Sequence, residues 1–195
     1  MFLIKDKLFI ILAILMALIV ALSNYLVQFP VKHFGLQDIF TYGAFSYPIA
    51  FLITDLTNRR YGKIVARKIV YIGFIFGVIL TLYFSIDFSN LISKRIALAS
   101  GTAFLIAQLL DVQVFHKLRK KVWYIAPLVS SLIGSCIDTF LFFSIAFYGT
   151  GVSWISLAFG DLAVKFLITL LMLIPFRLLL SKIKDISDKP IYKVR

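Results

Sequence analysis

An all-α bundle of six transmembrane helices, with both termini cytoplasmic, is what this sequence predicts, and three features carry the prediction. Apolar residues make up 61% of the 195 and mean hydropathy is +0.97, above the roughly half apolar share of soluble domains. A chain this short cannot bury so much apolar surface in one aqueous core. Six runs reach or approach the roughly 17–25 apolar residues that a helix needs to cross a bilayer, and the basic residues fall almost wholly on alternate connections between them.

The first run, Leu8–Val27, follows Lys5 and Lys7. It continues too far for a signal peptide and lacks a small-x-small cleavage site, so it reads as a retained helix. The second, Phe40–Leu56, is the shortest and contains Pro48. The third, Ile69–Ile86, holds Gly73 and Gly77 at a spacing that lets helices approach closely. The fourth, Ile96–Phe115, ends on the basic turn HKLRKK. The fifth, Val122–Phe147, is long enough to tilt, and Trp154–Phe176 is the sixth. The connections are short, so residues 1–195 read as a single integral membrane domain with a short basic tail. With the N-terminus inside, the outer connections hold only Lys32, Lys94 and Arg95. Lys165 lies within the sixth run, and every other one of the 21 basic residues is inside, as the positive-inside rule requires.

The net charge of +12 is therefore topology. Its partner is anionic lipid and not nucleic acid, because the charges trace no helix face or RNA-binding motif. Cys136 is the lone cysteine, and neither His33 nor His116 has companions at metal-ligand spacing. Walker, nucleophile-elbow and His-Glu-x-x-His patterns are absent from the sequence. It predicts no enzyme, metal or cofactor.

What the apolar runs do carry is polar side chains, which are costly in lipid and normally face a cavity or a partner. The first run has Ser23, Asn24 and Gln28, the second Ser46 and Asp55, and the fourth Gln108 and Asp111. The fifth has Ser131, Ser135, Asp138 and Thr139. The sixth has Asp161, Lys165 and Thr169, each four apart and so on one face. Stripes on five helices suggest one shared polar interior. Two structural readings stand beside this: hydroxyls and amides glue membrane helices together, and Asp161 pairs with Lys165 along its own helix as Asp55 could with Arg59. Asp138 and Lys165 are the hardest to read as glue. Carboxylates suit a flat heterocycle with a fork of N–H donors, for which Phe45, Tyr47, Phe142 and Phe143 offer stacking faces. These features define a carrier of a small polar solute.

The segments SNYLVQFPV (Ser23–Val31), TYGAFSYPIAFLITDLTNRRYG (Thr41–Gly62), AQLLDVQVFHKLRK (Ala107–Lys120) and SCIDTFLFFSIAF (Ser135–Phe147) resemble the VUT family, queuosine-precursor transporters of bacterial inner membranes. The resemblance implies import of 7-cyano-7-deazaguanine and 7-aminomethyl-7-deazaguanine for tRNA modification. It also implies a helix arrangement similar to the membrane-embedded substrate-binding subunits of energy-coupling-factor transporters. Asn24, Ser46, Asp55, Gln108, Asp111, Asp138 and Lys165 are then the candidate substrate-binding residues. Ser46, Tyr47 and Pro48 would relax the second helix beside the base, and Asp55 would close the inner end. The alternatives are a binding subunit or assembly partner that needs an external ATPase, and a carrier of another small polar heterocycle; a homo-oligomer is compatible with either.

Overall fold

A computed structural model of the chain describes residues 7–27, 29–31, 41–84, 91–183 and 185–187. Gln28, His33 and the charges at Lys5, Lys32, Lys184, Lys189, Lys193 and Arg195 lie outside the described residues. Six helices follow one another: α1 (Lys7–Leu26), α2 (Gly43–Tyr61), α3 (Lys63–Phe84), α4 (Leu91–Leu118), α5 (Ile125–Phe147) and α6 (Trp154–Leu180). Their number is the expected one, and among the described residues there is no strand beyond an isolated Pro30–Thr41 bridge. By length and composition α1, α4, α5 and α6 are apolar enough to cross a membrane.

α2 differs from the expectation in extent and in character. It does not stop at Leu56 but runs through Asp55, Asn58 and the two arginines to Tyr61. Gly62, at φ +80, then breaks it in a conformation that L side chains rarely adopt. α3 begins one residue later, which places Lys63, Arg67 and Lys68 on helical turns and not in a loop. α2 packs against all five other helices and is buried over most of its surface, including at Ser46, Tyr47, Pro48, Thr54, Asp55, Thr57 and Asn58, with Phe45 and Ile49 turned outward. That position explains its sequence. Where a helix faces protein there is no lipid to satisfy, so polar groups are retained where neighbours can bond them. Pro48 leaves the Ala44 carbonyl without its helical partner, which is tolerated where protein surrounds the turn. α6 is the reverse case. It buries one stripe, Ala158, Asp161, Lys165, Thr169 and Phe176, and turns its other faces outward.

The helices alternate in direction. Phe9 at the start of α1 meets Tyr61 at the end of α2. The Ile186 amide, beyond α6, donates to the Arg60 carbonyl at 2.8 Å. Arg59 Nη1 donates to the Arg119 carbonyl at 2.5 Å, and Arg119 Nη2 returns a bond to the Arg59 carbonyl at 2.9 Å. These contacts gather Arg59, His116, Lys117, Arg119, Lys120 and Lys121 around one cleft of about 620 Å³, the basic end of the bundle. Burial alone would push the Asp185 carboxyl there upward; the Ser187 amide and the Arg119 guanidinium at 2.7 Å outweigh it and hold the group below the usual carboxylate range.

The Gly73–Gly77 pair packs closely, as its spacing predicts. A Cβ on Gly73 would stand 2.1 Å from Met16 Cγ, and one on Gly77 would stand 2.5 Å from Val20 Cγ1. Overpacking of this kind costs about 1–3 kcal/mol. Gly73→Ala is therefore expected to lower the thermal unfolding temperature of the purified chain, whereas Gly149→Ala, with open space around it but a positive φ, should show only a small backbone cost. Equal stability of Gly73→Ala and wild type would mean that α1 and α3 separate more readily than this packing allows.

Candidate functional site

The buried polar groups form two layers along α2. The layer farther from the basic end begins with Ser23 of α1, which donates to Ser46 Oγ at 2.8 Å while Ser46 donates to the Gly43 carbonyl at 3.0 Å. The next residue of α1 is Asn24. Its Oδ1 lies 3.1 Å from the Tyr47 hydroxyl and also accepts from Ser100 of α4, whose Oγ is 2.6 Å from that same hydroxyl. The Tyr47 ring in turn faces the Lys165 ammonium at 5.0 Å, close enough for the ring's negative face to attract it.

Lys165 is the centre of this layer. Its Nζ lies 2.6 Å from Asp161 on its own helix and 2.9 Å from Asp138 on α5. The third donor goes to Thr139 Oγ1 at 3.0 Å, and Thr139 passes its own proton to Asp161 at 2.8 Å. All three ammonium hydrogens are thus used. The i, i+4 pairing expected within α6 is present, and it is only half of the arrangement, because the same ammonium also joins α6 to α5. Two carboxylates around one ammonium leave one negative charge without a partner inside the cluster.

In the second layer, Thr54 donates to Gln108 Oε1 at 2.6 Å, and Gln108 Nε2 is buried without a bond. One residue on, Asp55 accepts from Ser130 and Ser131 of α5 at 3.4 Å each. The carboxyl of Asp111, on α4, lies within hydrogen-bonding reach of the Asp55 carboxyl. Ser130 lies between the two, and its proton is directed to Asp55; no ordinary donor reaches either oxygen of Asp111. The expected Asp55–Arg59 pair does not form, since Arg59 turns to the Arg119 carbonyl. Asn58 closes the layer by donating to the Val112 carbonyl at 2.9 Å.

All seven candidate residues are buried, and each falls into one of these layers: Asn24, Ser46, Asp138 and Lys165 in the first, Asp55, Gln108 and Asp111 in the second. Of the four aromatic rings expected to offer stacking faces, only Tyr47 touches the polar groups. Phe45 faces outward, 44% exposed, and Phe142 and Phe143 join an apolar cluster with Val27, Ala99 and Ala158. Ser100, Thr54 and Ser130 were not singled out by sequence. Each is a small hydroxyl in an apolar run, and its role depends on a partner from another helix, which local periodicity does not reveal.

Among the described residues no group of His, Cys, Asp and Glu is placed to hold a metal ion. Buried charges held between helices are the makings of a membrane carrier. Residues 41–180 match the family described as "Putative vitamin uptake transporter", and the chain belongs to that family. It is a membrane transport protein, not an enzyme. It is 37% identical over 193 residues to the "Queuosine precursor transporter" of Escherichia coli, covering 88% of this chain and 86% of that one. It is also 37% identical over 186 residues to the "Probable queuosine precursor transporter" of Haemophilus influenzae, with 80% and 79% covered. The "Probable queuosine precursor transporter" of Bacillus subtilis is 30% identical over 176 residues, with 77% and 75% covered. No solved structure matches the chain.

Proposed function

We propose that this chain imports queuosine precursors, 7-cyano-7-deazaguanine and 7-aminomethyl-7-deazaguanine, across the bacterial inner membrane for tRNA modification. The observation that carries this reading is the identity of 37% over most of both chains with the E. coli queuosine precursor transporter. In the proposed arrangement residues 1–195 form one integral membrane domain. The basic end lies in the cytoplasm together with both termini, because translocating lysine and arginine is disfavoured.

The substrate set is Asn24, Ser46, Gln108, Asp138 and Lys165, with Tyr47 as the stacking face; Asp55 and Asp111, also candidates on the sequence, leave this set because their carboxyls engage each other. A 2-aminopyrimidinone edge presents two adjacent N–H donors, which a carboxylate accepts side by side, and Asp138 is the carboxylate that Lys165 can release while keeping Asp161. The Lys165 ammonium covers the Tyr47 ring at 5.0 Å, so its withdrawal would uncover carboxylate and ring together. The cavity between α2, α5 and α6, lined by Asp55, Ser131 and Thr169, is about 10 Å³, room for one water, so a base enters only as α6 parts from α2 and α5. α6 is suited to move because it buries a single stripe.

A strain unable to make the precursors, supplied with the base at low concentration and expressing this chain, is expected to regain queuosine in its tRNA on a boronate gel. An unmodified tRNA pattern, with the protein present in the membrane, would remove the substrate assignment. For topology, alkaline phosphatase fused in the Gly149–Ser153 connection should be active and a fusion after Lys121 inactive. The reverse pattern would invert the bundle.

A further inference from the structure

Among the described residues, Asp55 and Asp111 differ from the other aspartates by having no cation. Asp138 and Asp161 share Lys165, and Asp185 has Arg119. Asp55 and Asp111 are 2% and 0% exposed, come from α2 and α4, and have each other. The basic groups nearest them in the fold are committed elsewhere. Arg59 on α2 donates to the Arg119 carbonyl, Arg67 on α3 to Gln113 Oε1 at 3.0 Å, Arg119 to Asp185, and Lys165 on α6 to the other two aspartates. What α5 contributes is hydroxyl groups, Ser130 and Ser131, and α4 adds the amide of Gln108. Two carboxyl groups within hydrogen-bonding reach need a proton between them, since neither oxygen has anything else to donate, and two bare like charges repel strongly where water is excluded.

A second feature points into the same place. Asp55 and Ser131 line the 10 Å³ cavity with Pro48, Pro127 and Thr169 of α6. Thr169 is 3% exposed, and its Oγ1 has no hydrogen-bond partner. A buried hydroxyl without a partner beside a carboxyl and a space for one water is a place where a proton can be relayed.

On the transport reading above, we propose that the Asp55–Asp111 pair is a proton-binding site that couples solute movement to the proton gradient. One shared proton holds α2 on α4. Its loss leaves two carboxylates face to face, and their repulsion favours separation of the helices. Per cycle one proton enters from the outer side and one leaves on the inner side with the solute; no bond in the solute changes. The ligand is a proton because the two carboxyls lie within hydrogen-bonding reach of each other, and a proton is the cation that fits between them.

The test uses the purified full-length chain in liposomes with radiolabelled 7-aminomethyl-7-deazaguanine. Counterflow exchange is measured without a gradient, and net uptake under an imposed pH gradient, acid outside. A gradient of about one unit supports up to roughly tenfold accumulation at one proton per solute. Wild type is expected to exchange and to accumulate. Asp55→Asn and Asp111→Asn, in which an amide donates permanently to the remaining carboxylate, are expected to exchange but not to accumulate. Wild-type exchange with no response to the pH gradient, or accumulation that follows a sodium gradient, would overturn the proton site and leave the carrier reading intact. So would gradient-driven accumulation by either variant. The wild-type measurement needs no variant to fold, so loss of both variants would still leave it decisive. Absence of exchange by wild type would remove the carrier reading, and the coupling with it.

Discussion

Lys165→Met is expected to give the largest loss of stability of any single substitution in this bundle. The ammonium lies 2.6 Å from Asp161 and 2.9 Å from Asp138, and all three groups are no more than 3% exposed. Removing one partner of a buried ion pair costs about 3–5 kcal/mol, because the remaining charge stays buried and unpaired. Here two carboxylates would be left, within one bundle, on helices that the lysine joins. The folded chain should fall in membrane abundance, and what is purified should unfold at a lower temperature. The triple variant Lys165→Met with Asp138→Asn and Asp161→Asn removes the whole charged group, and replacing a complete buried ion group by neutral residues is often close to neutral in stability. It should recover abundance without recovering uptake. A Lys165→Met chain as stable as wild type would mean that the aspartates are already protonated or wet, and the ionic description of this layer would be wrong.

The sequence makes some of this architecture legible and hides the rest, for reasons that can be traced to particular helices. α6 was readable because it buries one face: Asp161, Lys165 and Thr169 at intervals of four mark a stripe, and all three are buried. α2 is harder, because a helix buried over most of its surface has no narrow stripe to read. Its polar end from Thr54 to Arg60 looked like the approach to a loop, whereas it continues as helix because Asn58, Asp55 and Thr54 bond to α4 and α5. All seven candidate side chains are buried in the bundle, since a charge or amide in an apolar run has few other places to go. Which of them meet was not legible. Periodicity places Asp111 and Gln108 on one face of α4, but nothing local states that Asp55, more than fifty residues earlier, faces Asp111. Nor does it state that Lys165 has a second partner on α5.

That second partner changes what a charge exchange within α6 can show. Were Asp161 and Lys165 a pair confined to their own helix, Asp161→Lys combined with Lys165→Asp would keep the attraction and rescue the single changes. In this bundle Lys165 also bonds Asp138 across the helix interface at 2.9 Å. The exchange would therefore set a new carboxylate against Asp138 in a buried site, and like charges there are unfavourable. The exchanged chain is expected to be no better than either single variant, in abundance and in uptake. Adding Asp138→Asn removes the like charge, so the triple variant should regain abundance while uptake stays low, because Asp138 is then missing from the substrate set. Asp138→Asn alone keeps its size and can still accept from Lys165, so it should fold. Losing a charge-assisted hydrogen bond to the base costs about 1.5–3 kcal/mol, or roughly ten- to a hundredfold in affinity. Radiolabelled base uptake at matched membrane abundance measures these variants against wild type. Full rescue by the exchange alone would confine the pair to α6. Wild-type uptake by Asp138→Asn would leave the aspartate a purely structural partner of Lys165, with the base held by Asn24, Ser46 and Gln108.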